Sequence, residues 1–309
     1  MKNSRFTCLL DITKVFPTEE HCRNYLAQCR WGDKPVCQKC GNDEKIYKIN
    51  GGKLYKCGTC RKQFTVRVGS IFEDSPIPLQ KWFMGIYLVT AHKKGISSCQ
   101  LAKDIGVTQD TAWFMLHRIR YAIRTKTFNK PLDGVIQADE TYVGGKNENR
   151  HLKKRIKNSQ GRSTKDKTPV LGLLSQDKVV TIVVPDTKRK TINPIVKQMV
   201  EKGSTLVSDE YVAYYGLDDT FNREIVQHNT GNYVNEHGFH TNSIEGFFSL
   251  LKRSITGIYH HVSREHLSQY CNETSYRYNT RKMKDAERFN HALTTVEGRL
   301  TYKELIARK

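Results

Sequence analysis

Val135-Ile136-Gln137-Ala138-Asp139-Glu140-Thr141-Tyr142 is an apolar run that meets a carboxylate, and its reading decides the fold. Val135 to Ala138 predict a buried strand that ends at Asp139. A carboxylate at the end of such a strand is costly unless it binds a cation or is paired. Thr205-Leu206-Val207-Ser208 repeats the pattern and delivers a second aspartate, Asp209. Two such strands side by side would bring both carboxylates to one edge of a sheet. Glu245, with thirty-five residues between it and Asp209, stands near the start of a helical stretch, Ile244 to Arg253. There Ile244, Phe248, Leu251 and Ile255 form an apolar stripe for the sheet, and Glu245, Ser249 and Lys252 line a neighbouring stripe. The order strand-Asp, strand-Asp, helix-Glu suits Mg²⁺, which prefers oxygen donors and keeps phosphate oxygens as ligands, in two-metal phosphoryl transfer. Lys252, two turns beyond Glu245, would hold a phosphate.

Around these acids the pattern is mixed α/β. Val170 to Leu174, Val179 to Val184 and Glu224 to Val226 read as further strands, with a helix over about Ile192 to Lys202 and helices after Asn242. Glu140 and Glu210 are the nearest rival ligands, but on a strand they would point to the opposite face. His228, His240, His260 and His261 surround the third acid and read as structurally bonded rather than metal-bound. The stretch Lys146 to Lys167 carries nine Lys or Arg against two acids and reads as a mobile basic loop, with Lys153, Lys154 and Arg155 as candidate DNA contacts.

Upstream lie two small modules. Cys37-x2-Cys40 and Cys57-x2-Cys60 are separated by sixteen residues, and four thiolates suit one tetrahedral Zn²⁺. Lys45 to Ile49 and Lys53 to Lys56 flank Asn50-Gly51-Gly52 as a hairpin, and Gln63 to Val66 continue as a third strand. Such a full sulfur shell is structural, and the ribbon could face DNA or protein. Past a Ser75-Pro76-Ile77-Pro78 linker, Gly95 to Trp113 fits a helix-turn-helix: Ser97 or Ser98 caps the first helix, Gly106 turns the chain, and Thr108 caps the second. A recognition helix presents its N-terminal residues to base edges, which nominates Gln109, Asp110 and Thr111; its far end, with His117, Arg118 and Arg120, reads as basic, and Arg118 as a DNA contact. The bland alternative is a plain helical hairpin. Ahead of the ribbon, Thr18 caps a helix to about Gln28 on which Cys22 and Cys29 are buried.

Composition agrees. Fifty-one Lys and Arg against 31 Asp and Glu give a formal charge of +20, pointing to nucleic acid ahead of membrane. No run approaches the ~20 apolar residues of a membrane span, and no secretory signal is recognisable. Nine cysteines, an odd count, suit a reducing cytosol with one metal site. The expected organisation is a helical segment (1–36), the ribbon (37–74), the helix-turn-helix (79–130), a catalytic domain (131–285) and a tail (286–309).

Taken together, the cysteine pairs, Ala138-Asp139-Glu140-Thr141-Tyr142-Val143-Gly144-Gly145-Lys146, Ser208-Asp209-Glu210, His240-Thr241-Asn242-Ser243-Ile244-Glu245-Gly246-Phe247-Phe248-Ser249, and Gly257-Ile258-Tyr259-His260 resemble bacterial insertion-sequence transposases of the ISXO2-like type. The resemblance spans nearly the whole chain. It implies a ribonuclease H-like core, Asp139, Asp209 and Glu245 as ligands of two Mg²⁺ (or Mn²⁺) ions, and Lys252 as the basic residue after the Glu. Element-end and target DNA are the implied partners, bound by a homo-oligomer in the bacterial cytoplasm, at the nucleoid. Some members carry Asn for the third acid; this chain keeps Glu. Arg277-Tyr278-Asn279 also matches the family, as packing or as a phosphate contact. A non-catalytic DNA-binding regulator would leave the three acids unexplained, and a nuclease that cuts without joining fits the same residues.

Overall fold

The computed structural model describes residues 6–124, 130–145, 151–157, 163–227 and 233–307. The chain forms two compact units, one from residues 1–125 with 280–309 and one from residues 126–279.

The first unit begins with α1 (Leu9–Val15) and α2 (Glu19–Trp31), the latter capped by the Thr18 hydroxyl, which accepts from the His21 N–H. The sequence predicts only the second of these helices and stops it at Gln28. It continues one turn because Arg30 donates to Glu297 Oε2 at 2.8 Å and to the Val68 carbonyl at 2.9 Å. Strands β1 (Ile46–Ile49), β2 (Leu54–Cys57) and β3 (Gln63–Phe64) make a small antiparallel sheet, β3 being shorter than expected. Trp31 packs edge-on against Tyr55, which stacks on Phe64, giving the cysteine module an aromatic floor. Then come α3 (Leu79–Ala91), α4 (Ser98–Ile105) and α5 (Gln109–Ile123).

In the second unit a five-stranded mixed sheet holds the centre. Its strands are β4 (Val135–Val143), β5 (Thr168–Ser175), β6 (Lys178–Val183), β7 (Thr205–Ser208) and β8 (Asn222–Ile225), in the order β6-β5-β4-β7-β8. β4 pairs antiparallel with β5 and parallel with β7, and β8 is parallel to β7. The β4–β5–β6 meander continues into parallel crossovers through α6 (Arg189–Met199), the mixed α/β sheet expected of a ribonuclease H-like core. One face of the sheet buries Ile136, Ala138, Leu171 and Leu206 against Ile192, Val196 and Tyr214. The other buries Val143, Val170 and Leu174 against α7 (Asn242–Ser254) and α8 (Leu267–Asn279). The strand expected to end at Asp139 runs on to Val143, because β5 pairs with it from Ser175 back to Thr168.

After α8 the chain returns to the first unit through α9 (Asp285–Leu293) and α10 (Tyr302–Ile306). Residues 286–309, expected as a tail, therefore include core: Phe289 is buried with ring centroids 5.2 Å from Phe6 and 5.5 Å from Phe83, and Tyr25 donates to Asn290 Oδ1 at 2.6 Å. The three upstream modules and this returning segment form one unit, and the sheet unit closes at Asn279 rather than residue 285.

Candidate active site

Parallel pairing brings the two aspartate-bearing segments side by side. β4 and β7 match Val135 with Thr205, Ile136 with Leu206 and Gln137 with Val207. Asp139 lies two residues past the last of these pairs on β4, and Asp209 follows directly after the end of β7. Asp139 shares with Gln137 and Val143 the face of β4 that α7 covers. Each acid is held by its own backbone: the Glu140 N–H donates to Asp139 Oδ1 at 2.7 Å, and the Tyr211 N–H to Asp209 Oδ1 at 3.1 Å.

Helix α7 brings the third acid. Ile244, Phe247, Phe248 and Leu251 are buried against the sheet, leaving Glu245 exposed in the first turn and Lys252 exposed in the last. A glycine lets the helix come close. Gly172 pairs with Asp139 across β5, and a Cβ there would lie 2.6 Å from Phe248 Cζ and 2.8 Å from Ile244 Cδ1. Gln137, on the same face as Asp139, accepts the Ile244 N–H at 3.0 Å, and its amide group lies 3.4 Å from His240 Nδ1. The Thr241 hydroxyl donates to Glu245 Oε1 at 3.1 Å.

Glu140 points the other way, where the Tyr214 hydroxyl donates to it. Burial first, then the charge of Glu140 and its hydrogen bond, and then the charges of Asp139 and Asp209, raise Tyr214 well above the usual tyrosine range, so it stays a neutral donor. Beside it the Thr187 hydroxyl lies 3.0 Å from both Tyr142 Oη and Tyr211 Oη. These contacts fasten the segment after Asp209 to β4 from behind, a support the sequence reading missed. A cluster of tyrosines soon after each aspartate was the available signal. His240 meets Gln137, and His260 Nδ1 lies 3.2 Å from the Thr256 carbonyl. His228 lies outside the described residues.

The cysteines are brought together as the spacing predicts. Among the described residues, Cys37, Cys40, Cys57 and Cys60 are the one set of three or more potential metal ligands whose donor atoms all lie within 4.8 Å of one another. Cys37 Sγ lies 3.7 Å from Cys60 Sγ, and Cys40 Sγ lies 3.6 Å from Cys57 Sγ. A tetrahedron of Zn–S bonds near 2.3 Å has edges of about 3.8 Å, so the four sulfurs fit one structural zinc. The Cys60 N–H above all, and also the Thr59 N–H and the thiols of Cys40 and Cys60, lower the Cys57 thiol from its usual range. Among the described residues the three carboxylates form no such set: Asp139 lies on β4, Asp209 just past the end of β7, and Glu245 on α7.

For the helix-turn-helix, Ser97 and Thr108 cap α4 and α5, and Gly106 ends α4 at φ 63°. Gln109 and Asp110 are exposed; Thr111 is half-buried, with its hydroxyl 2.9 Å from that of Thr108. Arg118 corrects the sequence reading. It is 4% exposed and donates to the carbonyls of Leu300 at 3.0 Å, Ile71 at 2.8 Å and Glu73 at 2.9 Å, so its guanidinium is spent inside the unit rather than offered to DNA. His117 and Arg120 are buried as well, so the far end of α5 is not a basic surface. Lys153 and Arg155 are exposed, while the Lys154 side chain and much of the basic stretch lie outside the described residues. Arg277 is buried and donates to Glu273, Tyr278 packs edge-on against Phe247, and Asn279 accepts the Val179 N–H at 2.7 Å: that trio packs.

The chain thus joins a four-cysteine zinc ribbon to a five-stranded mixed α/β sheet covered by the helix that carries Glu245. Residues 131–279 match the ISXO2-like transposase domain, and residues 17–63 the transposase zinc-ribbon domain. A protein of Halobacterium salinarum described as an uncharacterized protein in transposable element ISH50 is 30% identical over 83% of this chain and 90% of its own length. An uncharacterized transposase-like protein of Haemophilus influenzae is 29% identical over 35% of this chain and 85% of its own. Among solved structures, a pre-cleavage Mos1 transpososome is similar at 12% identity and a TM-score of 0.26, over 70% of this chain and 79% of that one, too loose to fix residue correspondences. The chain belongs to the ISXO2-like transposase family.

Among the described residues no helix is long and apolar enough to cross a membrane.

Proposed function

We propose that this chain binds the ends of an insertion sequence, cuts DNA there and joins the freed 3′-hydroxyl to target DNA, with Asp139, Asp209 and Glu245 holding Mg²⁺. What supports this reading is the parallel pairing of β4 with β7, which sets the strand that holds Asp139 beside the strand that leads into Asp209, with α7 packed on β4. The donor set fits the ion: three carboxylates offer hard oxygen ligands and leave room for phosphate oxygens. Bound there, a pair of Mg²⁺ ions would activate the attacking water or hydroxyl and stabilise the leaving oxygen. Lys252, exposed on the last turn of α7, places a cation where a phosphate passing Glu245 would run on along the helix. Gln109, Asp110 and Thr111 at the start of α5 would read base edges, and Lys153, Lys154 and Arg155 would take phosphates. The protein would act as a homo-oligomer, in the compartment that holds the DNA.

The test is strand transfer of a pre-cut end in Mg²⁺, with folding followed by circular dichroism. Asp139→Asn, Asp209→Asn and Glu245→Gln should each abolish cleavage and joining. Paired substitutions should add nothing, because ligands of one centre act as a unit. Binding of end DNA should survive. Folded Asp139→Asn protein that joins ends at the wild-type rate would defeat the assignment.

A further inference from the structure

We propose that Gln137 is the positioning residue that fixes Glu245 against Asp139 and thereby sets the affinity of the site for a divalent cation. This rests on the reading above that the acids hold such a cation.

The first turn of any helix has backbone N–H groups without partners inside the helix, and a side chain at the N-cap usually accepts one of them. In α7 the N-cap is Thr241, and its side chain makes no capping bond; its hydroxyl donates instead to Glu245 Oε1 at 3.1 Å. The Ile244 N–H is accepted from across the unit, by Gln137 Oε1 at 3.0 Å. The other end of the same amide lies 3.4 Å from His240 Nδ1, on the segment that leads into the helix. Gln137 stands two residues before Asp139 on the same face of β4, and Ile244 is the residue before Glu245. One side chain thus ties the strand carrying the first acid to the turn carrying the third. Groups that orient ligands in this way tune metal affinity about 10- to 100-fold in known sites.

The experiment measures Mn²⁺ binding to the zinc-loaded full chain by electron paramagnetic resonance, independently of DNA cleavage. Gln137→Leu removes both polar atoms at similar volume, and Gln137→Glu keeps an acceptor for the Ile244 N–H. Mn²⁺ affinity should fall about 10- to 100-fold in the leucine variant and stay close to wild type in the glutamate variant. Amide exchange at Ile244, followed in metal-free protein, should be slow in wild type and Gln137→Glu. Wild-type affinity in Gln137→Leu, an equal loss in both variants, or rapid Ile244 exchange in the wild type would each overturn the proposal. If the leucine variant does not fold, the glutamate variant and the wild-type exchange rate still decide it. Equal Mn²⁺ binding by wild type and Asp139→Asn sinks the cation reading itself, and the proposal with it, a result distinct from any Gln137 arm.

Discussion

Replacing Gly172 by alanine adds one methyl group at the point where α7 lies closest to the sheet. Gly172 is not among the residues with positive φ, so alanine is conformationally allowed and the substitution isolates the contact. The new Cβ would stand 2.6 Å and 3.0 Å from Phe248 Cζ and Cε1 and 2.8 Å from Ile244 Cδ1. Carbon atoms rest about 3.5–4.0 Å apart, so the helix must withdraw by about 1 Å or the side chains must leave their rotamers. Overpacking of this kind costs about 1–3 kcal/mol. The lower chain entropy of unfolded alanine returns about 0.4–1 kcal/mol of that. At roughly 2–4 °C per kcal/mol for a unit of this size, the melting transition should fall by a few degrees. The helix that withdraws carries Glu245, and a displacement near 1 Å at a reacting centre costs about 100-fold in rate. Strand transfer of a pre-cut end and a thermal melt of the same preparation measure both quantities. A Gly172→Ala protein with wild-type melting and wild-type joining would refute the close-approach reasoning.

Other expected outcomes follow from the same contacts. Arg118→Met should destabilise the first unit by about 3 kcal/mol, because buried carbonyls lose a charged donor, while the salt dependence of DNA binding stays unchanged. Neutralising Lys153 and Arg155 together should instead flatten the slope of log affinity against log salt by up to about 1.8, roughly 0.9 per phosphate contact. Cys37→Ser or Cys57→Ser should lose zinc by metal analysis and expose residues 37–67 to protease, with the second unit still folded. The hydrogen bond to Glu224 first, then its charge, hold His237 above its ordinary 6.5, and the same pairing holds Glu224 below 4.5. The histidine's stabilisation is therefore full below 6.5 and fades as pH rises through its raised value, while the glutamate's fades as pH falls through its lowered one. Glu224→Gln should return the His237 titration, followed by nuclear magnetic resonance, toward 6.5.

What was legible in the sequence was local or periodic. Ser97, Gly106 and Thr108 each announce a helix end by their own backbone chemistry, and the structure uses all three as caps or stop. The cysteine spacing needs only two short turns and a hairpin to close. The two apolar runs that each lead into an aspartate do form neighbouring parallel strands. What escaped depends on partners far along the chain. Arg118 looks like a basic surface residue until Leu300, which is 182 positions away, supplies its acceptor. Gln137 carries no signal of its own, since its bond is to a backbone N–H 107 positions on. Asp139 was placed at a strand end because apolarity stops there, yet ladder hydrogen bonds carry β4 four residues further. The segment after residue 285 looked like a tail because amphipathic spacing over nine residues does not say which core it completes.

That returning segment has a consequence for the order of events during synthesis. Phe289 fills the space among Phe6, Phe16 and Phe83, so the first unit lacks a central side chain until the sheet unit has been made. At roughly 5–20 residues per second, the interval between residues 125 and 289 lasts about 8–33 s on the ribosome. During that interval α2 and α3 expose the surface that α9 will cover, while residues 126–279 form a separate compact unit. A stop codon shortly after α8 would therefore release a chain with a complete sheet unit and an unfinished first unit. Released chains ending at 279 and at 307 should differ in proteolysis of residues 6–91, and hardly at all within the sheet.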